Sequence, residues 1–523
     1  MYQLYEKRIS RLLNHKQQGL IRKGLIGLEK ETLRVGADGK IAQTPHPYAL
    51  GSALTHPYIT TDYSEALTEI ITPPVNNPID ALNFLRDTQA FIYRHLGDEI
   101  LWATSMPCVV AGETSIPIAN YGKSNAGMMK TVYRRGLGHR YGRTMQVIAG
   151  VHFNYSVAED FWPVFQDMEG DTAPLQEFIS DQYFALIRNL QRFGWLIPYL
   201  FGASPAVCKS FLAGQKTDLE EFNSNTFFET YATSLRMGDI GYQNNKEKAT
   251  GVRANYDSLP SYVDSLTAAI NTPYPGYEEF GVCVDSEYQQ LNTNILQIEN
   301  EYYSTVRPKQ LLHGNEKPTL ALKRRGIRYI ELRSLDVNAF DPLGINETQV
   351  YFLEVFMLFC LLHESERFDK REHAAIDQNE LLTAHRGRQP DLELVSGGQS
   401  RRLQDWAEEL CEQMRAIAEI LDGDGQDGVY QQALGRQLER VRDPAATPSA
   451  RMLETMYANH EGFFDFALRM SRQHQAYFRQ TDLTADRLHQ FQEWAKKSHK
   501  DQDIIESTST ESFAEYLQNY FAQ

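Results

Sequence analysis

Long apolar runs, grouped cysteines and net positive charge are all missing here, and each absence removes a class of function. The longest apolar stretch, Val350 to Leu362, is broken by Glu354. It falls short of the ~20 residues a bilayer-crossing helix needs and reads as a buried helix. The opening MYQLYEKRISRLLNHKQQ has no apolar signal core and reads as an amphipathic helix. Cys108, Cys208, Cys283, Cys360 and Cys411 are scattered, with no CxxC or metal-finger spacing. Each reads as a small buried hydrophobe in a reducing cytoplasm. The formal net charge of −16 repels phosphate backbones and anionic lipid, so neither nucleic acid nor a membrane is expected as partner. An anionic substrate would need metal ions or clustered arginine to approach.

Several catalytic signatures are missing too. No GxxxxGK[ST] occurs; Gly122-Lys123-Ser124 has Pro117 where the first glycine should stand. No GxGxxG follows a strand-like run, and neither a GxSxG elbow nor HExxH is present.

What is there is a chain of 523 residues, 42% hydrophobic and 23% charged, suited to a large globular core. Its character changes near residue 370. Before that point, β-branched and aromatic runs such as YITTDY (58–63), MQVIAGVHFNYSV (145–157), ILQIENEYY (295–303) and IRYIELRSL (327–335) alternate with helical segments. Asn77-Pro78 opens a helix, and 174–193 and 346–366 are others. Beyond 370 the chain reads as almost wholly helical. Leu403, Trp406, Leu410, Met414, Ile417 and Leu421 recur at helical steps and stop at Gly423; 428–442, 463–479 and 483–496 repeat the pattern. The polar stretch 380–401 reads as a surface loop. The class is α+β, without a regular βαβ series.

The carboxylates stand out. In GLEKETLRV (27–35), Glu29 and Glu31 share one strand face, with α-carbons ~6.7 Å apart. Two such acids repel unless a cation sits beside them. In TTDYSEALTEIIT (60–72), Asp62, Glu65 and Glu69 recur. His152 and Asn154 share a face of a strand, as do Glu331 and Arg333. Taken singly, each acid is more readily a solvated strand face, His152 a satisfied core histidine, and Glu331–Arg333 a structural ion pair. Together, an oxygen-rich set with one imidazole matches Mg²⁺ or Mn²⁺ rather than zinc. Tyr133, Arg134, Arg135, Arg140 and Arg143 form a cationic cluster, with Arg236, Tyr242, Tyr303 and Arg307 beyond it. Guanidinium forks suit carboxylate and phosphate; the bland alternative is a basic patch. Tyr231 reads as core.

The segments GLEKETLRV, LGSALTHPYITTDYSEALTEIITP, YGKSNAGMMKTVYRRGL, MQVIAGVHFNYS, RFGWLIPYLFGASPA, YATSLRMGDIGY, LNTNILQIENEYYSTVRPK and YIELRSLDVN run in order from Gly27 to Asn338. Together they resemble the proteobacterial type of glutamate–cysteine ligase. The resemblance implies a fold related to glutamine synthetase and the guanidino kinases: a curved antiparallel half-barrel covered by helices, with the site in its concave side. It implies a catalytic region over 1–370; the helical region 371–523, expected to pack on it, is read from the helical patterning alone. It implies Mg²⁺ or Mn²⁺, two or three ions, held by Glu29, Glu31, Asp62, Glu69, His152 and Glu331. Arg236 would grip a substrate carboxylate, and Arg134 and Arg333 would steady a transferring phosphoryl group, with Glu29 and Glu331 also catalytic. Tyr63, Tyr133, Gln146, Tyr242 and Tyr303 would line a cysteine pocket. Tyr63 departs from the phenylalanine expected in relatives, which alters that pocket's polarity. The implied activity joins L-glutamate to L-cysteine with ATP as co-substrate, in the first step of glutathione biosynthesis. Apart from the resemblance, a cytoplasmic location is expected from the sparse cysteines, and a monomer is expected. Two alternatives stay open: a ligase of the same fold using a different amine, and a non-catalytic amino-acid or nucleotide sensor.

Overall fold

The computed structural model describes residues 2–14, 18–241, 251–425 and 427–523. Its centre is an antiparallel sheet. The strands that carry it are β1 (Leu25–Val35), β2 (Ile59–Thr61), β3 (Leu67–Ile71), β4 (Ile100–Leu101), β5 (Val151–Ser156), β6 (Val306–Lys309) and β7 (Tyr329–Leu335). Their spatial order is β6-β7-β5-β1-β3-β2, with β4 paired to the end of β1.

Register decides which side chains share a face, because the strand period is two. Glu29 pairs with His152, Glu31 with Glu69, and Glu331 with both Asn154 and Arg307. All of these lie on one side. Ile26, Leu28, Val151, Phe153, Ile330 and Leu332 alternate with them and are buried on the other. Between β7 and β5 the register slips by one residue after Leu332, a bulge at Arg333 and Ser334 opposite His152. Bulges of this kind re-aim a side chain.

Helices cover the apolar side. Pro78–Tyr93 is capped as the sequence predicts, the Asn77 side chain accepting from Ile79 N–H. Glu347–Leu362 is apolar all round and buried throughout Gln349–Leu362, so it is enclosed on every side. The helices Leu175–Phe193 and Val429–Arg442 pack against it. The hydrophobic core continues across residue 370: Phe491 stacks on Phe91 at 5.0 Å, and Trp494 meets Tyr58 at 4.7 Å.

Several expectations need correction. ILQIENEYY is no strand; a 3-10 turn, Glu299–Glu301, interrupts it, with Glu299 accepting from the Thr319 hydroxyl and Glu301 from Arg140. The stretch 380–401 is no loop; Lys370–Arg386 is helical and Glu393–Ser396 pairs with Gln399–Arg402 as a hairpin. Cys108 and Cys208 are not free thiols but a disulfide with α-carbons 5.5 Å apart, and Cys283 is exposed. Cys360 and Cys411 are buried as expected. Tyr231 is 41% exposed, although Ala232, Thr233 and Ser234 directly after it are buried. Among the described residues, no helix is long and apolar enough to cross a membrane.

Candidate active site

The uncovered face of the sheet floors a cavity of about 770 Å³. Glu29, Glu31, Asp62, Tyr63, Glu69, Tyr133, Arg134, Gln146, His152, Tyr303, Glu331 and Arg333 all line it. Arg236 does not. It lies behind Gly150, where a Cβ would collide with its guanidinium, and is engaged by the Arg333 carbonyl at 2.8 Å and Asp336 at 3.6 Å. Its Nε is buried with no hydrogen-bond partner among the described residues. Tyr242 lies outside the described residues. Glu65, raised as a companion of Glu69, turns away instead and accepts from the backbone N–H groups of His46 and Asn120.

His152 is the hub. Its Nδ1 is 3.2 Å from Glu29 and 3.5 Å from Glu331, and its Nε2 is 3.7 Å from Glu31. Glu29 also accepts from Asn154 Nδ2 at 2.9 Å, and Glu31 from Gly150 N–H at 2.8 Å. These bonds hold the carboxylates in place along β1. At the β7 side, Lys309 Nζ stands 3.0 Å and Arg333 3.1 Å from Glu331. Burial alone would raise the Glu331 carboxyl, but Lys309, Arg333 and His152 outweigh it and hold it well below the usual range. The β3 side is different. Burial, then Glu29, Asp62 and Glu31, push Glu69 well above the usual range. Burial likewise raises Glu31, though His152 opposes it.

Such a surplus of carboxylate on one wall is what a hard divalent cation relieves. Among the described residues, ligand atoms of Glu29, His152 and Glu331 lie within 4.8 Å of one another. Oxygen donors with one imidazole suit Mg²⁺ or Mn²⁺, so the residues fit such an ion.

The helix Asn125–Tyr141 forms the opposite wall, its first turn capped by Ser124. It carries Arg134, whose Nε donates to the Asp62 carbonyl while its guanidinium covers the Tyr121 ring at 4.6 Å. Among the described residues, the Tyr63 hydroxyl is buried with no hydrogen-bond partner. Sequence reasoning missed Lys309, although it sits two residues after Arg307 on the same strand face. It also missed Tyr516 and Tyr520, from the far end of the chain, which complete the wall. Nothing in their local pattern separates them from an ordinary amphipathic helix.

The family model for glutamate–cysteine ligase matches residues 9–382. A glutamate–cysteine ligase of Alcanivorax borkumensis is 48% identical over 99% of both chains, and one of Pseudomonas putida is 47% identical over 96% of this chain and 95% of its own. A crystal structure of the Francisella tularensis glutamate–cysteine ligase, in complex with AMP, superposes with a TM-score of 0.89 at 36% identity, covering 96% of this chain and 98% of that one. A bifunctional glutathione synthetase of Pasteurella multocida shares the fold, with a TM-score of 0.74 at 24% identity over 92% of this chain and 58% of its own. The chain belongs to the glutamate–cysteine ligase family.

Proposed function

We propose that this protein joins the γ-carboxylate of L-glutamate to the amine of L-cysteine, using ATP and giving γ-glutamylcysteine, ADP and phosphate, as the first step of glutathione biosynthesis. The observation that carries the reading is the wall of Glu29, Glu31, Glu69, His152 and Glu331, with Arg333 beside Glu331 and Arg134 on the facing helix, lining one cavity.

A carboxylate is a poor electrophile, so amide formation needs an activated acyl group. The γ-carboxylate takes the γ-phosphoryl of ATP, the amine attacks the acyl phosphate, and phosphate leaves. No protein nucleophile is required; positioning and charge stabilisation supply the rate. Glu29, Glu31, Asp62, Glu69, His152 and Glu331 would hold Mg²⁺ or Mn²⁺, which when bound neutralises phosphate charge. Arg333, steadied by Glu331, and Arg134, steadied by Asp62, present guanidinium groups to the charge that develops on the transferring phosphoryl. Tyr63, Tyr133, Gln146 and Tyr303 line the rest of the cavity and suit the cysteine side chain. The AMP bound by the Francisella relative supports a nucleotide site in this fold.

The test is phosphate release with glutamate, cysteine, ATP and Mg²⁺, with each component omitted in turn, and the product weighed by mass spectrometry. Release that needs all four, with a product of γ-glutamylcysteine mass, is expected. Equal release with an unrelated amine in place of cysteine would move the assignment to another ligase of this fold, and no ATP turnover would leave a sensor.

A further inference from the structure

Residues 229–241 form a run of turns, with the Met237, Gly238 and Gly241 N–H groups bonding back to the carbonyls of Ser234, Leu235 and Gly238. Such turns lack the repeating ladder that steadies a helix or strand. What fixes the run is the C-terminal end of the helix Lys370–Arg386. The Ala384 carbonyl accepts from the N–H groups of Thr233 and Ser234, and the Thr383 carbonyl from the Thr233 hydroxyl. Just after the helix, Arg388 donates to the carbonyls of Thr230 and Ala232.

His385 closes this junction. Its Nδ1 stands 2.8 Å from Glu229 Oε2 and its Nε2 3.1 Å from Asp239 Oδ1, while the Asp239 N–H group lies 3.3 Å from the same Nε2. A Cβ on Gly238 would come within 2.5 Å of Nε2, so the missing side chain lets the turn meet the ring. One imidazole nitrogen thus faces an acceptor and a donor of a single residue. The imidazolium donates to both carboxylates. The neutral ring keeps Glu229 and exchanges the Asp239 carboxylate for a weaker bond from its N–H. Burial disfavours the charged ring, but Glu229 and Asp239 outweigh it and raise its pKa. Neighbouring charges are engaged elsewhere: Arg236 with Asp336, Arg386 with Gln389, Glu220 with Thr230 and Arg388 with backbone carbonyls.

The same turns touch the cavity wall. Met237 Sδ accepts from Arg236 at 3.3 Å and from the Tyr303 hydroxyl at 3.7 Å, and Tyr303 lines the cavity. We propose that His385 is a positioning residue for the amino-acid substrates: by bridging Glu229 and Asp239 it holds the turns 236–241 against Tyr303. The proposal rests on the ligase reading, in which Tyr303 belongs to the cysteine pocket. His385 does not itself line the cavity, so its influence passes through Met237 and Tyr303. The grip is complete below the ordinary histidine range and weakens as pH rises through the raised value.

The experiment compares the full wild-type chain with His385→Phe, which keeps a ring and loses both nitrogens, and with Asp239→Asn, at a side chain 62% exposed. In His385→Phe the KM for cysteine or glutamate is expected to rise about tenfold, as for loss of a hydrogen bond to a charged group, with kcat and the KM for ATP within about twofold. In wild type that KM is expected to climb as pH rises through the His385 titration. Asp239→Asn moves the climb to lower pH, and His385→Phe abolishes it. Two readouts need no turnover. The histidine Cε1–H resonance missing from His385→Phe is expected to titrate above the ordinary range in wild type and lower in Asp239→Asn. The peptide spanning 236–241 is expected to exchange its amide hydrogens faster in His385→Phe, while peptides of β1 do not. Wild-type KM values in His385→Phe, a rise shared equally by ATP, or a pH profile and resonance unmoved by Asp239→Asn would each overturn the assignment. If His385→Phe does not fold, the Asp239→Asn profile and resonance decide alone. A failure of the ligase reading would show separately, as absent γ-glutamylcysteine with the resonance and exchange results intact.

Discussion

On β1, Leu28 and Lys30 turn toward the helices while Glu29 and Glu31 turn into the cavity, and the two sides treat charge in opposite ways. The covered side is close-packed and does not gather like charges. Its Lys30 ammonium donates to Gln89 at 2.6 Å and to the Pro342 carbonyl at 3.3 Å, and burial still pulls it down to about 7. The open side gathers like charges: Glu69 is crowded by Glu29, Glu31 and Asp62. Packing is the purpose of one side, and readiness for a cation is the purpose of the other. Substitutions on the covered side should therefore cost stability, and those on the open side should cost turnover.

The largest expected effect is on the open side. Glu29→Gln should lower kcat on the order of 10³-fold, about 4 kcal/mol of transition-state stabilisation. Its melting temperature without Mg²⁺ should hold or rise, because repulsion on Glu69 is relieved. Phosphate release and calorimetry check the pair of outcomes; a variant that melts early with kcat intact would reverse the division of labour. Next, Leu28→Ala, fully buried one residue away, should lose about 3 kcal/mol of stability in denaturant titration. The molecules that remain folded should keep their kcat.

A smaller effect tests a lone buried acid. Glu354, on the helix behind the sheet, accepts from the Tyr430 hydroxyl at 2.6 Å, and burial raises it to about 7. Its folded value lies above its unfolded one. Its contribution is therefore complete below the ordinary carboxylate range and is lost as pH rises through about 7. Between pH 5 and pH 8 the wild type should lose roughly 2 kcal/mol relative to Glu354→Gln. Parallel profiles for the two proteins would show that Glu354 is ionised inside the core. The smallest effect concerns the cysteine pocket. Replacing the thiol by a methyl, in 2-aminobutyrate, should lower kcat/KM only on the order of tenfold, because a pocket of this kind separates near-isosteres weakly. Phenylalanine turned over as well as cysteine would remove Tyr63, Tyr133 and Tyr303 from that role.

Much of this was legible in one dimension. Period two put Glu29 with Glu31 and Glu331 with Arg333, and both pairs share a face in the fold. Asn77-Pro78 and Gly423 mark helix ends as local capping rules require. Where local rules misled, a distant partner was responsible. The β-branched and aromatic run 295–303 lacks a neighbouring strand, and Glu299 and Glu301 take Thr319 and Arg140 as partners instead. Cys108 and Cys208, separated by 100 residues, carry no spacing signal for the bond they form. Lys309 looked like any edge-strand lysine until Glu331 was placed beside it.

The order of residues by itself determined the alternation that separates acids from core and the helix ends at Asn77-Pro78 and Gly423, because these depend on neighbours within a few positions, and the family was legible in segments running in order from Gly27 to Asn338. Tertiary structure alone decided that β1, β3, β5 and β7 bring Glu31, Glu69, His152 and Glu331 to one floor, that Arg236 stands behind it, and that Tyr516 and Tyr520 close the wall. Those are contacts between segments far apart in the chain. Strand order, register and the docking of helices set them, and no local pattern encodes any of these.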